Sequence, residues 1–294
     1  MRFIRFLAYE LLLRGALFAV LGTAALAALY FLAIGAPASS YLDAGRSFAL
    51  MLSGSSDFSS AHPGFSAQAI IASGAAITLP LALASLTILA LAALVGASFS
   101  STSRYLAREY GNKAQARLLI LGGILASVLA AVPLFVSFWV LGNGFGSDAP
   151  FLLIAAATVL TGGLGWDAER FLVADMNRQA DSTHATVFST LGPPMGRLFP
   201  LPGTFSGYLL ASSFPRFIPY LAGKVPAIIG SVTIAEIIFS FPGLGSTLMD
   251  ALLARNSDLL IAAVFILLCL NATVVFVVKT ILFLMYPRWY EKAI

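Results

Sequence analysis

The sequence predicts an all-α polytopic membrane protein, and three observations carry that prediction. Only 10% of the 294 residues are charged, the mean hydropathy is +0.92, and the apolar residues fall in long continuous runs. Soluble domains carry roughly a quarter charged residues, whereas runs of about 20 apolar residues match the hydrocarbon thickness of a bilayer. A β-barrel would alternate polar and apolar positions instead. Six runs qualify as spans.

The first, Gly15 to Ile34, follows a basic amphipathic start, MRFIRFLAYELLLRG. The small residues of GAPASS offer a signal-peptide cleavage site as the competing reading, but the long apolar core favours a retained span. Ala36 to Ala67 is polar and rich in Ser, Gly and Pro. Ile77 to Phe99 forms the second span. Its Thr78 and Ser85 are seven apart and share a face, which suits close helix packing and, less readily, pore lining. Leu118 to Leu141 forms the third, with a kink expected at Pro133. Phe151 to Trp166 forms the fourth and is expected to run on as one helix through DAERFLVADMNRQ. Asn177 to Gly207 reads as the longest polar-to-mixed loop of the second half. Tyr208 to Ser240, the fifth span, carries Pro215, Pro219 and Pro226 and is expected to be bent or broken. Leu259 to Tyr286 is the sixth. The chain thus divides into residues 1–76, a first helix with its following segment, and residues 77–294, a five-helix core with a loop at about 167–207.

Charge placement orients these spans. Arg2, Arg5 and Arg14, then Arg104, Arg108, Lys113 and Arg117, then Arg170, Arg178 and Arg197, then Arg288 and Lys292 fall on one side, while the opposite loops hold Arg46 and Arg255. The positive-inside rule places both termini in the cytoplasm. The formal net charge of +4 therefore reports topology, and without a basic stripe interleaved with aromatics no nucleic-acid partner is expected. The bilayer is the one partner that composition itself demands.

Catalysis finds no foothold. The sequence has no Walker A loop, no GxSxG and no HExxH. Its two histidines, His62 and His184, fall on opposite sides of the expected membrane, and its single cysteine, Cys269, lies inside the last apolar run. Neither a His-based triad nor a Cys/His metal site can be assembled, so no catalytic, cofactor or metal residue is assigned.

The most organised stretch is EIIFSFPGLG, Glu236 to Gly245. A glutamate closes an apolar helix, Pro242 forbids its continuation, and Gly243 and Gly245 permit a tight re-entry beside Phe241. Ser246 is expected to cap a short helix with Leu248, Leu252 and Leu253 on one face. Such a polar break between two spans must line water or protein, and Glu236 is expected to hold the turn through backbone N–H groups. Lys224 lies about 18 Å from Glu236 along a helix, too far to pair with it. It is expected to face either a water-filled path or a carboxylate from another chain. Lys279 is expected to snorkel toward the membrane exit.

The Glu-x-x-Phe-Ser-aromatic-Pro-Gly-Leu-Gly motif, with the amphipathic STLMDALLARN behind it, resembles the membrane permease of dipeptide/oligopeptide/nickel-type ABC importers. The basic start, the second span and the terminal span ending Tyr-Pro-Arg-Trp resemble it too. The resemblance implies a type I importer permease fold in a bacterial cytoplasmic (inner) membrane, forming half of a translocation path. It implies a second permease chain, two cytoplasmic ATPase subunits that hold the ATP, and an extracytoplasmic solute-binding protein. It also implies a coupling helix at Ala185, Thr186, Val187, Phe188, Ser189, Thr190, Leu191 and Gly192. This chain departs from the family pattern in the absence of basic residues from that helix, in the PPMGRLFPLPG run after it, and in Lys224, where the family tends to have glutamine. Two further readings stand beside the importer: a non-transporting structural or regulatory subunit derived from such a permease, and a proton-coupled secondary transporter using Lys224 and Glu236.

Overall fold

The computed structural model describes residues 67–110, 113–145, 150–191, 203–254 and 257–285, with a few positions between 8 and 24. The first span, the segment 36–66 and the tail after 285 lie outside the described residues. Nine helices occupy the described core: α1 (Ala67–Tyr110), α2 (Lys113–Ala131), α3 (Leu134–Phe145), α4 (Phe151–Leu160), α5 (Leu164–Ala180), α6 (Thr183–Thr190), α7 (Phe205–Ile238), α8 (Leu244–Leu253) and α9 (Ser257–Met285). Among the described residues there is no strand, and the protein is all-helical.

Among the described residues, three stretches are long and apolar enough to cross a membrane, Ala69–Ser100, Phe205–Ile238 and Leu259–Ile281, and two bent pairs bring the number to five if each pair is one span. α1 and α7 are about 66 and 51 Å long at 1.5 Å per residue, well beyond the roughly 30 Å hydrocarbon core. The described residues fall into two compact units. One lies within Met1–Leu83, Gly142–Ala149 and Val225–Ile294, the other within Ala84–Leu141 and Pro150–Lys224.

In the second unit the sequence expectations need two corrections. The expected kink at Pro133 is a full break, with α2 and α3 bent by 86°. The fourth span does not continue unbroken: α4 and α5 meet at 57° across Thr161–Gly163, where Gly162 and Gly163 take φ values of 73° and 89°. Side chains rarely adopt that region, and two successive left-handed residues cannot continue a right-handed helix. The breaks satisfy each other. Gly162 N–H donates to the Val132 carbonyl at 3.1 Å, and the Ser137 and Thr161 hydroxyls lie 2.8 Å apart. Backbone groups freed at membrane depth need such partners. A second hydroxyl pair, Thr158 donating to Ser85 at 2.8 Å, joins α4 to α1, so Ser85 serves packing.

The fifth span also differs from expectation. α7 runs as one helix from Phe205 to Ile238 through all three prolines. Each proline removes a single ladder bond, and in apolar surroundings an unwound segment would expose many more. Among the described residues, the expected loop from Asn177 onward holds the end of α5 and all of α6.

In the first unit, α8 packs between α1 and α9. Ile71, Leu244 and Ala262 form one buried cluster, extended by Ala75, Ile266 and Leu267. Ala251, Leu259 and Leu260 form another, with Ile70 and Leu248 against it. The buried face of α8 is therefore Leu244, Thr247, Leu248 and Ala251. Leu252 and Leu253 are exposed. A stripe at i, i+3, i+4 and i+7 fits Leu244, Thr247, Leu248 and Ala251, and it is this stripe that meets α9.

Candidate functional site

The chemistry of the described core concentrates in two places, one in each unit. In the first unit, α7 ends in a two-bond lock: Ser240 N–H donates to the Ile237 carbonyl at 3.4 Å and Phe241 N–H to the Glu236 carbonyl at 2.9 Å. This is a Schellman arrangement, with Ser240 at φ 55° in the position usually given to glycine. Pro242 then turns the chain, and Gly243 is the N-cap of α8, in extended backbone. Ser246, expected as the cap, lies inside the helix and donates its hydroxyl to the Gly243 carbonyl.

The first turn of α8 is capped from elsewhere. Leu244 N–H donates to Thr78 Oγ on α1 at 2.9 Å, and Gly245 N–H donates to Glu236 Oε2 at 2.6 Å. Both side chains are fully buried. A helix start leaves N–H groups without partners and carries partial positive charge, so a carboxylate there is doubly favoured. The short bond to Glu236 is of the charge-assisted kind. This contact also explains the two glycines. A Cβ on Gly243 would overlap the Glu236 carboxyl group, and one on Gly245 would sit 2.7 Å from the Thr233 carbonyl oxygen and 2.8 Å from Glu236 Oε2. The glutamate and the PGLG backbone are one fitted object. Phe241 stacks on Phe239 at 6.1 Å and completes the turn with Pro242.

The second place is built by α5, α6 and α7. Ser182 caps α6, accepting from Ala185 N–H at 3.3 Å. Ala185 is fully buried, and Phe188 stacks on Tyr208 at 4.5 Å and on Phe205 at 6.4 Å. Thr186, Ser189 and Thr190 donate their hydroxyls back to the Ser182, Thr186 and Val187 carbonyls. Val187 and Leu191 are 60% and 76% exposed. The result is a short helix pinned on one side, with Val187 and Leu191 exposed beside His184 on the other. Gly192 lies outside the described residues.

Lys224 does have a partner, and it belongs to this chain: Nζ lies 3.4 Å from Asp167 Oδ2 and 5.1 Å from the Tyr220 ring centre. The expectation of a carboxylate from another chain overlooked it. The pair is one rung of three. Phe171 stacks on Tyr220 at 4.1 Å, nearly parallel, and Arg216 donates to Asp175 at 2.8 Å, with Asp175 buried. Asp167, Phe171 and Asp175 on α5 thus meet Lys224, Tyr220 and Arg216 on α7, four residues per rung and running antiparallel. Residues four apart share a helix face, so the spacing D-x3-F-x3-D against R-x3-Y-x3-K was the signal that sequence reading could have used. Thr78 was read as packing and Asp175 was not singled out; both hold key contacts.

The family model for the binding-protein-dependent transport system inner membrane component matches residues 120–289, a segment holding the ladder, α6 and the Glu236 turn. Two curated relatives, each the Oligopeptide transport system permease protein AmiC from a strain of Streptococcus pneumoniae, are 37% identical over 57 residues, which is 18% of this chain. The match spans only 11% of the length of either relative. Since the family model covers more than half of the chain, the protein belongs to the family of binding-protein-dependent transport system inner membrane components.

Proposed function

We propose that the protein is the permease subunit of an ABC importer, one half of a translocation path for peptides or a similar small solute, driven by separate ATPase subunits. In this reading it crosses a bacterial cytoplasmic membrane six times with both termini inside. It pairs with a second permease chain, and an extracytoplasmic binding protein delivers the solute. Residues 1–76 form the first helix and its following segment, and 77–294 form the core with its coupling loop at about 167–207. Residues 185–192, most of them on α6, are the coupling segment, the Glu236–Gly245 turn lies at the outer mouth, and Lys224 borders the path.

The observation that carries this reading is α6 itself. A helix of eight residues, held by Ala185 and Phe188 and presenting Val187 and Leu191 outward, lies within the segment matching the family. Exposed apolar side chains on a helix so firmly anchored fit docking into a groove of another subunit. The peptide class is supported by the name of the two partial relatives alone. One observation favours a second reading, the non-transporting descendant: α6 carries no Lys or Arg.

The test is affinity purification of the tagged chain in mild detergent, with identification of what accompanies it and an ATPase assay. A second permease and nucleotide-hydrolysing subunits are expected. A stable complex without ATPase activity would favour the structural subunit.

A further inference from the structure

Beside the Glu236 turn, a cavity of about 840 Å³ lies between the start of α1, the end of α7 and α8. That is within the size range of small-molecule sites. Four hydroxyls lie on its wall, those of Ser73, Ser240, Ser246 and Thr247, and three of them face it with one sign. Ser73 donates its hydroxyl to the Ile70 carbonyl at 2.8 Å, and Ser246 and Thr247 both donate to the Gly243 carbonyl at 2.9 Å. With their protons turned into the backbone, these three hydroxyls offer the cavity only oxygen lone pairs. The first N–H groups of α8, which would otherwise attract an anion, are already taken by Thr78 and Glu236.

Asp250 adds an exposed carboxylate to the same wall. Phe241 adds an aromatic ring, and no Lys, Arg or His is among the described residues lining the space. Acceptors, a negative charge and an aromatic ring are the three elements that hold an ammonium group.

We infer that this cavity binds the protonated amine of a small solute, with Asp250 as its counter-charge and Ser73, Ser246, Thr247 and Phe241 around it. The inference rests on the importer reading only in treating that solute as the one transported. Binding is read without any ATPase present, so it stands or falls separately from recovery of a nucleotide-hydrolysing partner.

An amine can belong to a peptide amino terminus or to a free amine, and calorimetric titration of the full-length protein in detergent separates the two. The probes are trialanine, N-acetyl-trialanine and cadaverine. Trialanine or cadaverine is expected to bind at least about tenfold more tightly than N-acetyl-trialanine, the scale of a hydrogen bond to a charged group. Asp250→Asn should remove that advantage and Asp250→Glu should keep most of it. Binding of trialanine alone identifies a peptide terminus, and binding of cadaverine alone a free amine. Both outcomes support the site. The inference is overturned if neither amine binds at millimolar concentration, if acetylation makes no difference and cadaverine is silent, or if Asp250→Asn binds the amines as the native protein does. The acetylation comparison uses the unaltered protein and holds even where a variant fails to fold.

Discussion

The Glu236–Gly245 turn and the α5–α7 ladder both bring charged side chains into apolar surroundings, and they do so by opposite means. In the turn, residue identity is decisive. The Glu236 carboxyl group sits where Gly243 and Gly245 have no Cβ, and Thr78 reaches across from a helix 166 positions away in sequence to take a second N–H. The partners are the Leu244 and Gly245 backbone N–H groups, with the Thr78 side chain beside Glu236, and the two glycines leave the carboxyl group its space. In the ladder, spacing is decisive. Three rungs repeat at four residues on each helix, and each rung is a side-chain pair that could be swapped or replaced by another complementary pair. The turn should therefore be brittle and the ladder tolerant.

The largest effect expected is at Gly243. Gly243→Ala forces the new methyl against the Glu236 carboxyl group and displaces the bond to Gly245, at a cost of about 3 kcal/mol from overpacking and a lost charged hydrogen bond. Thermal unfolding in detergent should show a clear fall in Tm, and an unchanged Tm would mean that the fit is loose. Next comes the buried rung. Arg216→Met leaves Asp175 without its cation and should cost about 2–3 kcal/mol, less than for a fully enclosed pair because Arg216 is 36% exposed. The double exchange Asp175→Arg with Arg216→Asp should restore most of the loss, and failure to do so would show that the ladder too depends on identity.

Thr78→Val removes one cap acceptor while keeping the shape of the side chain, and about 1 kcal/mol is expected. Ser240→Gly should act in the opposite direction. It relieves a left-handed serine and is expected to stabilise by about 0.5–1 kcal/mol, a rise in Tm that would sharpen the view of the turn as a fitted but strained element.

The contrast also accounts for what the sequence disclosed. The apolar runs marked the spans because hydropathy is a sum over many residues and survives any local error. EIIFSFPGLG was legible as a turn because Pro242 and the glycines act locally, and the role of Glu236 followed from its proximity. Thr78 was illegible as a cap: its hydroxyl looks like any small polar group on a packing face until α8 is placed beside it. Ser246 was read as the cap because local rules favour serine, and it lost the position to the two partners that tertiary packing supplies. The ladder was written openly in the spacing of Asp167, Phe171, Asp175, Arg216, Tyr220 and Lys224, but pairing two helices requires their register, which no single helix specifies. The two successive left-handed glycines at 162 and 163 were likewise visible, yet the apolar content around them argued for continuity. α6 begins at Thr183, two residues before the segment suggested by the family resemblance, because Ser182 supplies its cap.

The most direct test of the functional account is a cross-link from the exposed face of α6. In a Cys269→Ala background, Val187→Cys should form a disulfide-length cross-link to a nucleotide-hydrolysing subunit in native membranes, and Ala185→Cys, at the fully buried position, should not. A cross-link from Val187→Cys that reaches no ATPase, or one that forms equally well from Ala185→Cys, would contradict the assignment of α6 as the coupling element.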